Sequence, residues 1–447
     1  MSLVPPPTQS RTVLGANAAH DASACLMLDG RPVVAICEER LTRVRHYEGF
    51  PHQAIGYCLK AGGLTSLADI DCIVMNEYPQ TDFALDFRQT DFGGQLIVNP
   101  SHHLLHAYYA WIASGFAEAA ILVVDDSSYH FAQCERRGSE FLGDKARYGD
   151  MDEAESQYVA HGGKLELVQK SWGIRDATTP YYRLPSLGHM FSTASQYIFG
   201  NWQYAGKTMG LAPYGNASLF PEPFIDLLDD GVRIDTEWVT RLPARSSAPA
   251  HLGDICRDLA AKVQAQLERA ILHTCDRLHE ATGQERQWLS GGVALTSVAN
   301  GRIPRESPFT ELFVTPAAGD SGVAIGAALY GYHEMTGRVP SWNYAHDYCS
   351  RPYHEREIRA AASERAALLR CEIAEDVAER AAADIDAGRV IGWFEGGSEF
   401  GPRSLGHRSI LCDARVKGMR DLLNEFVKYR EPFQPYAASV LALHAAD

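Results

Sequence analysis

Short apolar runs near the start of the chain are separated by polar turns. The runs 12–16, 24–28 and 32–36 are each long enough for one strand, and they are separated by the turn 20–23 and by the hairpin dipeptide Asp29-Gly30. Antiparallel strands can be joined by turns this short, whereas parallel strands need a crossover of a dozen or more residues. The pattern therefore predicts three successive antiparallel strands.

Farther along, apolar runs of strand length alternate with stretches in which apolar residues recur at helical spacing. The predicted helices cover 51–61, 102–116, about 255–281, a segment from about 295, and a small-residue segment after 322. The predicted strands cover 71–75, 120–124, 287–289 and 311–314, with a further hairpin region within 135–172. Such alternation is typical of the α/β class.

The alternation of predicted helices and strands stops between 338 and 352, where Pro340, Trp342 and Pro352 interrupt it. We therefore expect two domains, 1–345 and 346–447. The second should contain a helix over 375–387, a strand over 390–394, a glycine-rich loop and a basic helix near Arg420. The two halves of the first domain could be duplicates.

Three histidines open the helix predicted after Pro100-Ser101. Residues four apart lie on the same helix face, so His102 and His106 can face one ion, whereas His103 points elsewhere. Two imidazoles in this arrangement offer two nitrogen ligands from one rigid element. The alternative interpretation is an ordinary pair of helix histidines.

Two aspartates could complete such a site. Asp125 ends a buried strand, and Asp320 begins a helix. Ligands of α/β proteins usually bind at the carboxyl ends of strands. The alternative interpretation of Asp125 is a simple turn residue, and that of Asp320 is a helix N-cap. Two nitrogens and two oxygens with open positions suit Fe(II), Mn(II) or Zn(II).

Two glycine-rich turns each join a strand to a helix, at 290–293 and 319–322. Such turns can direct backbone N–H groups and a helix N-terminus toward a phosphate. With the antiparallel strands at the start, they predict a nucleotide cleft of the actin/hexokinase type. The segment ending in Lys207-Thr208 is not a P-loop, because Asn201 stands where that motif needs glycine.

Composition narrows the function classes. The formal net charge of −15 argues against a nucleic-acid-binding surface, and no apolar stretch approaches the roughly 20 residues that span a bilayer. Ten cysteines are scattered singly without a metal-binding spacing, and the polar start of the chain lacks the apolar core of a signal peptide. These features predict a reduced, cytoplasmic protein that binds neither nucleic acid nor membrane.

Cations cluster in two short segments near the end of this acidic chain. They indicate a binding site for a carboxylate or phosphate group, and the alternative interpretation is a salt-bridged surface. Arginine forks suit bidentate contacts with carboxylate or phosphate. The four cations are Arg403, Arg408, Lys428 and Arg430.

Together these stretches resemble the family of nodulation protein U and the cephalosporin and other antibiotic O-carbamoyltransferases. The matching segments run in the family's order over nearly the whole chain: 20–24, 38–43, 102–107, 207–215, 291–295, 319–322, 399–409 and 428–433.

The resemblance implies two active sites. An actin/hexokinase-like domain would be followed by a YrdC-like domain that makes carbamoyl-adenylate from carbamoyl phosphate and ATP with Mg²⁺. The first domain would then transfer the carbamoyl group to a hydroxyl of a secondary metabolite, as in antibiotic tailoring. The resemblance is also compatible with a homodimer.

The resemblance assigns roles to individual residues. Iron, or another divalent metal, would be held by His102, His106, Asp125 and Asp320. Catalytic roles would fall to Arg403 and Lys428 in activation and to His20, a histidine in the titration range of a general base, in transfer. Nucleotide or phosphate contacts would come from Ser127, Lys207, Gly291, Gly292, Asn300, Arg408 and Arg430.

Three positions depart from the family pattern, namely Asp126 in place of glycine, Thr296 in place of asparagine and Gln434 in place of arginine. The sequence ends at Asp447, so the second domain is expected to be partial. Two other functions stay open. One is a small-molecule kinase of the actin/hexokinase type, and the other is a nucleotide-binding relative that lacks the activation step.

Overall fold

The computed structural model describes residues 10–78, 81–83, 87, 90, 92–126, 151–174, 185–243, 253–342 and 344–444. The described strands are β1 Thr12–Ala18, β2 Ser23–Leu28, β3 Arg31–Cys37, β4 Cys72–Glu77, β5 Gln95–Val98, β6 Ala119–Val124, β7 Met151–His161, β8 Lys164–Ile174, β9 Ile225–Leu228, β10 Gly231–Ile234, β11 Arg286–Ser290, β12 Glu311–Val314, β13 Ile391–Phe394 and β14 Arg408–Leu411.

The described α-helices are α1 Glu38–Thr42, α2 His52–Ala61, α3 His102–Ser114, α4 Leu187–Phe199, α5 Ala205–Leu211, α6 Asp254–Thr282, α7 Ser297–Glu306, α8 Val323–Thr336, α9 Glu355–Glu364, α10 Val377–Asp386 and α11 Met419–Leu422. The predicted strands and long helices are confirmed. Pattern reading missed β5, β9, β10, β14, α1, α4, α5 and α9.

Two five-stranded sheets share one topology. Sheet 1 has the order β3-β2-β1-β4-β5, and sheet 2 has the order β8-β7-β6-β11-β12. In each sheet, three successive antiparallel strands are extended by two parallel ones. Positive φ angles at Asp29 (48°) and Gly30 (81°) make the tight turn between β2 and β3. The repeated order confirms the predicted duplicated, actin/hexokinase-like α/β architecture.

Helices α3 and α8 lie between the two sheets. Along β6, Ile121 and Val123 join the core that contains these helices, whereas Leu122 and Val124 join the core formed with α4 and α6. The β6 strand is therefore apolar on both faces. The α8 helix approaches its neighbours closely, since a Cβ on Gly326 would lie 2.0 Å from the Leu105 carbonyl oxygen.

The C-terminal segment is built differently. A two-stranded sheet of β13 and β14 is accompanied by α9 and α10, neither of which buries a residue. The segment contacts the first domain through a hydrogen bond from Ala35 N–H to the Cys349 carbonyl (2.9 Å) and through Phe400, which joins the core between the sheets. The YrdC-like character of this segment and the domain boundary near 345 stay predictions.

The predicted helix near Arg420 is confirmed, but it is short and not basic, because Asp421 balances the charge of Arg420. It is the single turn α11, which follows Gly418 in a left-handed conformation and continues as a wider turn over Leu423–Val427. Only Met419, Leu423 and Asn424 are buried there, so packing cannot support a longer helix.

The described cysteines agree with the sequence prediction. All nine are free thiols, and six of them are buried. Within the described part of the chain, no helix is both long enough and apolar enough to cross a membrane.

Candidate metal centre and active site

The carboxyl ends of four strands face one cleft between the two sheets. Strands β1 and β4 bring Asn17 and Asn76 to it from sheet 1. From sheet 2, Asp125 directly follows β6, and Ser290 ends β11. In open α/β sheets this edge is where ligands bind.

Helix α3 enters the cleft with its histidines buried. The Ser101 hydroxyl caps the helix by accepting the Leu104 N–H (3.1 Å). His102 and His106 then lie one turn apart, with side-chain exposures of 4% and 0%. His103 points away and contacts the Ser156 hydroxyl through Nδ1 (2.8 Å), and burial lowers its pKa to about 3. His103 is therefore neutral and lies outside the cluster, as predicted.

The structure brings the four predicted metal ligands together. The Nε2 atoms of His102 and His106 lie 3.2 Å apart. Asp125 Oδ2 lies 3.5 Å and 3.1 Å from these two atoms. Asp320 Oδ1 lies 3.6 Å and 4.0 Å from them, and its side chain is 23% exposed. One atom of each residue thus surrounds a common point that is open to solvent on the Asp320 side.

This donor set fits a metal ion. Bonds of about 2.0–2.1 Å to a tetrahedral ion place ligand atoms roughly 3.3–3.4 Å apart, close to the separations seen here. Asp125 Oδ2 is buried without a conventional hydrogen-bond partner among the described residues, as expected of an atom reserved for a cation. Asp320 makes no side-chain cap on its short helix, so the N-cap interpretation is wrong.

The imidazoles and carboxylates of this cluster shift one another's pKa values. Burial disfavours the charged form of His102, but the carboxylates of Asp125 and Asp320 outweigh burial and raise the pKa of His102 to about 10. Burial also opposes ionisation of Asp125, yet His102 and His106 hold the pKa of this carboxyl well below its usual range. Metal binding would displace protons from the imidazoles.

Residues outside the ligand set contact the Nδ1 atoms of His102 and His106 and orient both imidazoles. His102 Nδ1 lies 3.4 Å from Asn76 Oδ1, and Asn76 in turn donates to Asn17 Oδ1 (2.7 Å). His106 Nδ1 lies 3.3 Å from the Ser290 hydroxyl. These contacts direct both Nε2 lone pairs to the common point. Sequence reasoning missed Asn17, Asn76 and Ser290, because only the paired sheets bring them near α3.

The glycine pair after β11 holds Asp125. Gly291 has a φ of 92°, and a Cβ there would lie 2.2 Å from the Val124 carbonyl oxygen, so glycine is required. The Gly292 N–H donates to Asp125 Oδ1 (3.1 Å). The predicted contact of Gly291 and Gly292 with a nucleotide stays a prediction. Asp126, the departure from the family's glycine, is hydrogen-bonded to His189 Nδ1 (3.0 Å) and to the Ser192 hydroxyl (2.9 Å) on α4.

A buried ion pair anchors the start of α3. Glu153 on β7 and Lys170 on β8 form a salt bridge with side-chain exposures of 0% and 2%. The Ser101 hydroxyl donates to Glu153 Oε1 (2.5 Å), and Lys170 donates to the same hydroxyl (3.1 Å). Burial opposes ionisation of Glu153, but Lys170 holds its pKa well below the usual range. The hairpin of sheet 2 thus fixes the helix that carries the ligands.

His20 lies at the rim of the same cleft. Asn17 Nδ2 donates to the His20 carbonyl (2.7 Å) and to the Asp320 carbonyl (3.1 Å), so the His20 backbone is tied to the ligand turn. Burial disfavours its charge, but the neighbouring Asp21 outweighs this and raises the pKa of His20 to about 9.

Two other residues predicted to contact the nucleotide, Lys207 and Asn300, have partners within the protein. Lys207 on α5 pairs with Glu431 (2.7 Å) of the C-terminal segment and lies over the Tyr204 ring. Asn300 on α7 donates to the Ala294 carbonyl (2.7 Å). Ser127 lies outside the described residues. The roles of Lys207, Asn300 and Ser127 stay predictions.

Three of the four C-terminal cations lie in one electropositive region. Burial, followed by repulsion from Arg40, lowers the pKa of Arg408. Burial also lowers the pKa of Lys428, and repulsion from Arg430, Arg408 and Arg45 lowers it further. Repulsion of this kind is relieved by an anion. Arg403 is exposed.

The loop that carries Arg403 and Arg408 is organised by one carboxylate. Glu399 is 2% exposed, and its Oε1 accepts N–H hydrogen bonds from Leu405 (2.6 Å), His407 (3.0 Å) and Arg408 (3.2 Å). Arg40 of the first domain donates to the Gly401 carbonyl (2.9 Å), which ties the loop to α1.

Comparison with known proteins gives the family. A family model described as carbamoyltransferase N-terminus matches residues 12–90 and 83–329, and one described as carbamoyltransferase C-terminus matches 382–447. The chain belongs to the carbamoyltransferase family. The predicted resemblance is therefore confirmed.

Within this family, the chain is 33% identical to nodulation protein NolNO of Sinorhizobium fredii over 458 residues, covering 94% of this chain and 62% of that protein. It is 29% identical to 3'-hydroxymethylcephem-O-carbamoyltransferase of Streptomyces clavuligerus over 245 residues, covering 52% and 43%. The chain thus spans about three-fifths or less of the length of these two relatives. Among solved structures, full-length HypF in its phosphate- and nucleotide-bound form aligns with a TM-score of 0.49 at 11% identity, covering 75% of this chain and 57% of that chain.

Proposed function

We propose that this carbamoyltransferase is an ATP-dependent O-carbamoyltransferase. It makes carbamoyl-adenylate from carbamoyl phosphate, water and ATP with release of inorganic phosphate and pyrophosphate, and it transfers the carbamoyl group to a hydroxyl of a secondary metabolite with release of AMP. The observation that carries the proposal is the convergence of His102, His106, Asp125 and Asp320 in the cleft of a chain from this family. The name of the S. clavuligerus relative supports a hydroxyl as the acceptor.

Activation is assigned to the C-terminal cations. Arg403 and Lys428 bind carbamoyl phosphate, with Arg408 and Arg430 beside them, and Mg²⁺ accompanies ATP. Bidentate arginine contacts suit the phosphate group. Burial together with the charges of Arg430 and Arg408 lowers the pKa of Lys428, which supports an anion site there.

Transfer is assigned to the cleft. His102, His106, Asp125 and Asp320 hold a divalent cation, for which Fe(II) is our choice from the family resemblance. When bound, such a cation supplies Lewis-acid polarisation of a carbonyl group. His20 accepts the proton of the acceptor hydroxyl. Lys207, Gly291, Gly292 and Asn300 contact the nucleotide.

The deciding experiment is a product assay. The chain is incubated with ATP, Mg²⁺, carbamoyl phosphate and a panel of hydroxylated natural products headed by 3'-hydroxymethylcephem. We expect AMP and pyrophosphate together with a carbamoylated acceptor. Formation of ADP without dependence on carbamoyl phosphate would instead identify a kinase. Absence of carbamoyl-phosphate-dependent pyrophosphate release would favour a nucleotide-binding relative.

Replacing Arg403 should separate the two steps. In Arg403→Ala, pyrophosphate release should fall about 100-fold or more, because a charged contact to phosphate is worth several kcal/mol. Transfer from supplied carbamoyl-adenylate should persist. Arg370→Ala, at another exposed arginine of the segment, is the matched control. Equal loss of both steps in Arg403→Ala would refute the two-site assignment.

A further inference from the structure

The Asp21 carboxylate lies between two histidines at the rim of the cleft. His20 Nδ1 lies 3.3 Å from Asp21 Oδ2, and His46 Nδ1 lies 2.8 Å from Asp21 Oδ1. All three side chains are partly buried, with exposures of 16%, 26% and 24% for His20, Asp21 and His46. Each carboxylate oxygen therefore faces one imidazole.

The contacts of His20 define its tautomer. Its Nε2 lies 3.3 Å from Gln203 Nε2, and an amide nitrogen can only donate. His20 Nε2 is thus an acceptor in the neutral ring, and the proton resides on Nδ1, facing Asp21. This is the arrangement in which a carboxylate holds an imidazole for proton abstraction at the opposite nitrogen.

The His20 ring is also held on two sides. The His46 ring stacks on it with centroids 5.5 Å apart, and the Trp202 ring lies 5.1 Å away. Trp202 is 43% exposed, so this side of His20 borders solvent. The ring is oriented before any acceptor binds.

The backbone accepts strain to form this cluster. Asp21 and His46 have φ angles of 52° and 51°, in the left-handed region that non-glycine residues rarely adopt. The loop of His46 is pinned by its own N–H, which donates to Glu39 Oε2 (3.0 Å), and by the Tyr47 carbonyl, which accepts the Ala22 N–H (3.0 Å). Strain of this kind concentrates at functional sites.

We propose that Asp21 and His46 are positioning residues that hold His20 so that its Nε2 lone pair receives the acceptor hydroxyl, which takes the place of the Gln203 amide as the donor to that atom. This inference rests on the proposed function, which supplies the carbamoyl-transfer reaction in which His20 acts. The hydroxyl proton moves to His20 Nε2 while the hydroxyl oxygen bonds to the carbamoyl carbon. The bond from that carbon to the phosphate oxygen breaks, and AMP leaves with the electron pair.

The electrostatic surroundings of His20 set the direction of the pH effect. Among the described residues, the titratable groups around it include Asp21, His46, Tyr78 and the carboxylates of Glu48 and Asp320, and Gln203 and Trp202 are neutral neighbours. Removal of the Asp21 charge should lower the pKa of His20 from about 9. Transfer should rise with pH toward 9 in the wild-type chain and level off at lower pH in Asp21→Asn.

The first test does not depend on activity. The imidazoles of the full chain loaded with Zn²⁺ are titrated by ¹⁵N NMR, with His20 assigned through His20→Gln. We expect the Nδ1–H tautomer for the neutral His20 ring, and we expect its pKa to fall by at least one unit in Asp21→Asn. An unchanged tautomer and pKa in Asp21→Asn would overturn the proposal, even if carbamoyl transfer is confirmed.

The second test measures transfer from supplied carbamoyl-adenylate to 3'-hydroxymethylcephem. At pH values above about 9, where His20 is neutral in both proteins, Asp21→Asn should lower kcat about 100-fold with little change in KM, because general-base catalysis contributes roughly 10²–10⁴-fold. Asp21→Glu should recover part of the rate. His46→Phe, which keeps a ring but removes the donor to Asp21, should lower kcat about tenfold, in the range of one lost hydrogen bond. Wild-type kcat in Asp21→Asn would overturn the proposal.

A matched control separates local from general effects. Glu166 and His161 form a carboxylate–histidine pair (3.2 Å) of the same chemistry on the exposed β7–β8 hairpin. Glu166→Gln should leave both kcat and the His20 titration unchanged. If the wild-type chain carbamoylates no acceptor while the NMR arm succeeds, the proposed function fails and the placement of His20 stands.

Discussion

Replacing His106 with alanine is expected to remove the bound divalent metal and carbamoyl transfer together. His106 is fully buried, and its Nε2 lies 3.1 Å from Asp125 and 3.2 Å from His102, so its loss opens the centre of the ligand set. Transfer from supplied carbamoyl-adenylate should fall about 100-fold or more, since a Lewis acid contributes several kcal/mol of charge stabilisation. Pyrophosphate release should persist, because activation is assigned to the C-terminal cations.

Metal content measured by mass spectrometry after dialysis checks this result. Asp320→Asn is a second variant with a smaller risk to folding, because the Asp320 side chain is partly exposed. His103→Gln is the matched control, since His103 lies one position from a ligand and faces Ser156 instead. Full metal occupancy in a folded His106→Ala protein would contradict the ligand assignment.

Replacing Lys170 with methionine is expected to destabilise the fold by about 3–5 kcal/mol, because breaking a buried ion pair leaves an uncompensated charge. The Glu153 carboxylate would lose its cation and keep its contacts with Ser101 and the start of α3. Urea unfolding followed by circular dichroism measures the change in the free energy of unfolding. The metal site should also weaken, since this pair anchors the helix that carries His102 and His106.

The double variant Lys170→Met with Glu153→Leu should recover much of the lost stability, because both charges are then removed. Arg277→Met is the matched control at an exposed pair with Glu280 and should cost less than about 1 kcal/mol. A loss in Lys170→Met as small as in Arg277→Met would show that the pair is not an anchor.

Local patterns were sufficient to predict most elements of the first domain. The three antiparallel strands follow from short apolar runs and the Asp29-Gly30 turn, and α3 follows from Ser101 and the apolar spacing after it. Some of the missed elements lack a strong apolar pattern. Strand β5 has only four residues, and α9 buries none of its side chains.

The sequence by itself determined which residue types were available for the candidate site. The spacing of His102 and His106 on one helix places both imidazoles on the same face, whatever the rest of the fold. The positions of Asp125 and Asp320 beside a strand end and a helix start are also local properties. The family resemblance extended these local patterns to a ligand set and a reaction.

Only the tertiary structure decided that these residues meet. His106 and Ser290 lie 184 positions apart in the chain and 3.3 Å apart in the cleft, because β6 and β11 are neighbours in sheet 2. The same pairing placed Gly292 against Asp125, and the β7–β8 hairpin placed Glu153 and Lys170 beneath α3. Contacts between distant segments depend on which strands become neighbours in a sheet, and a local pattern of hydrophobicity or turns does not specify a neighbour that comes from a distant part of the chain.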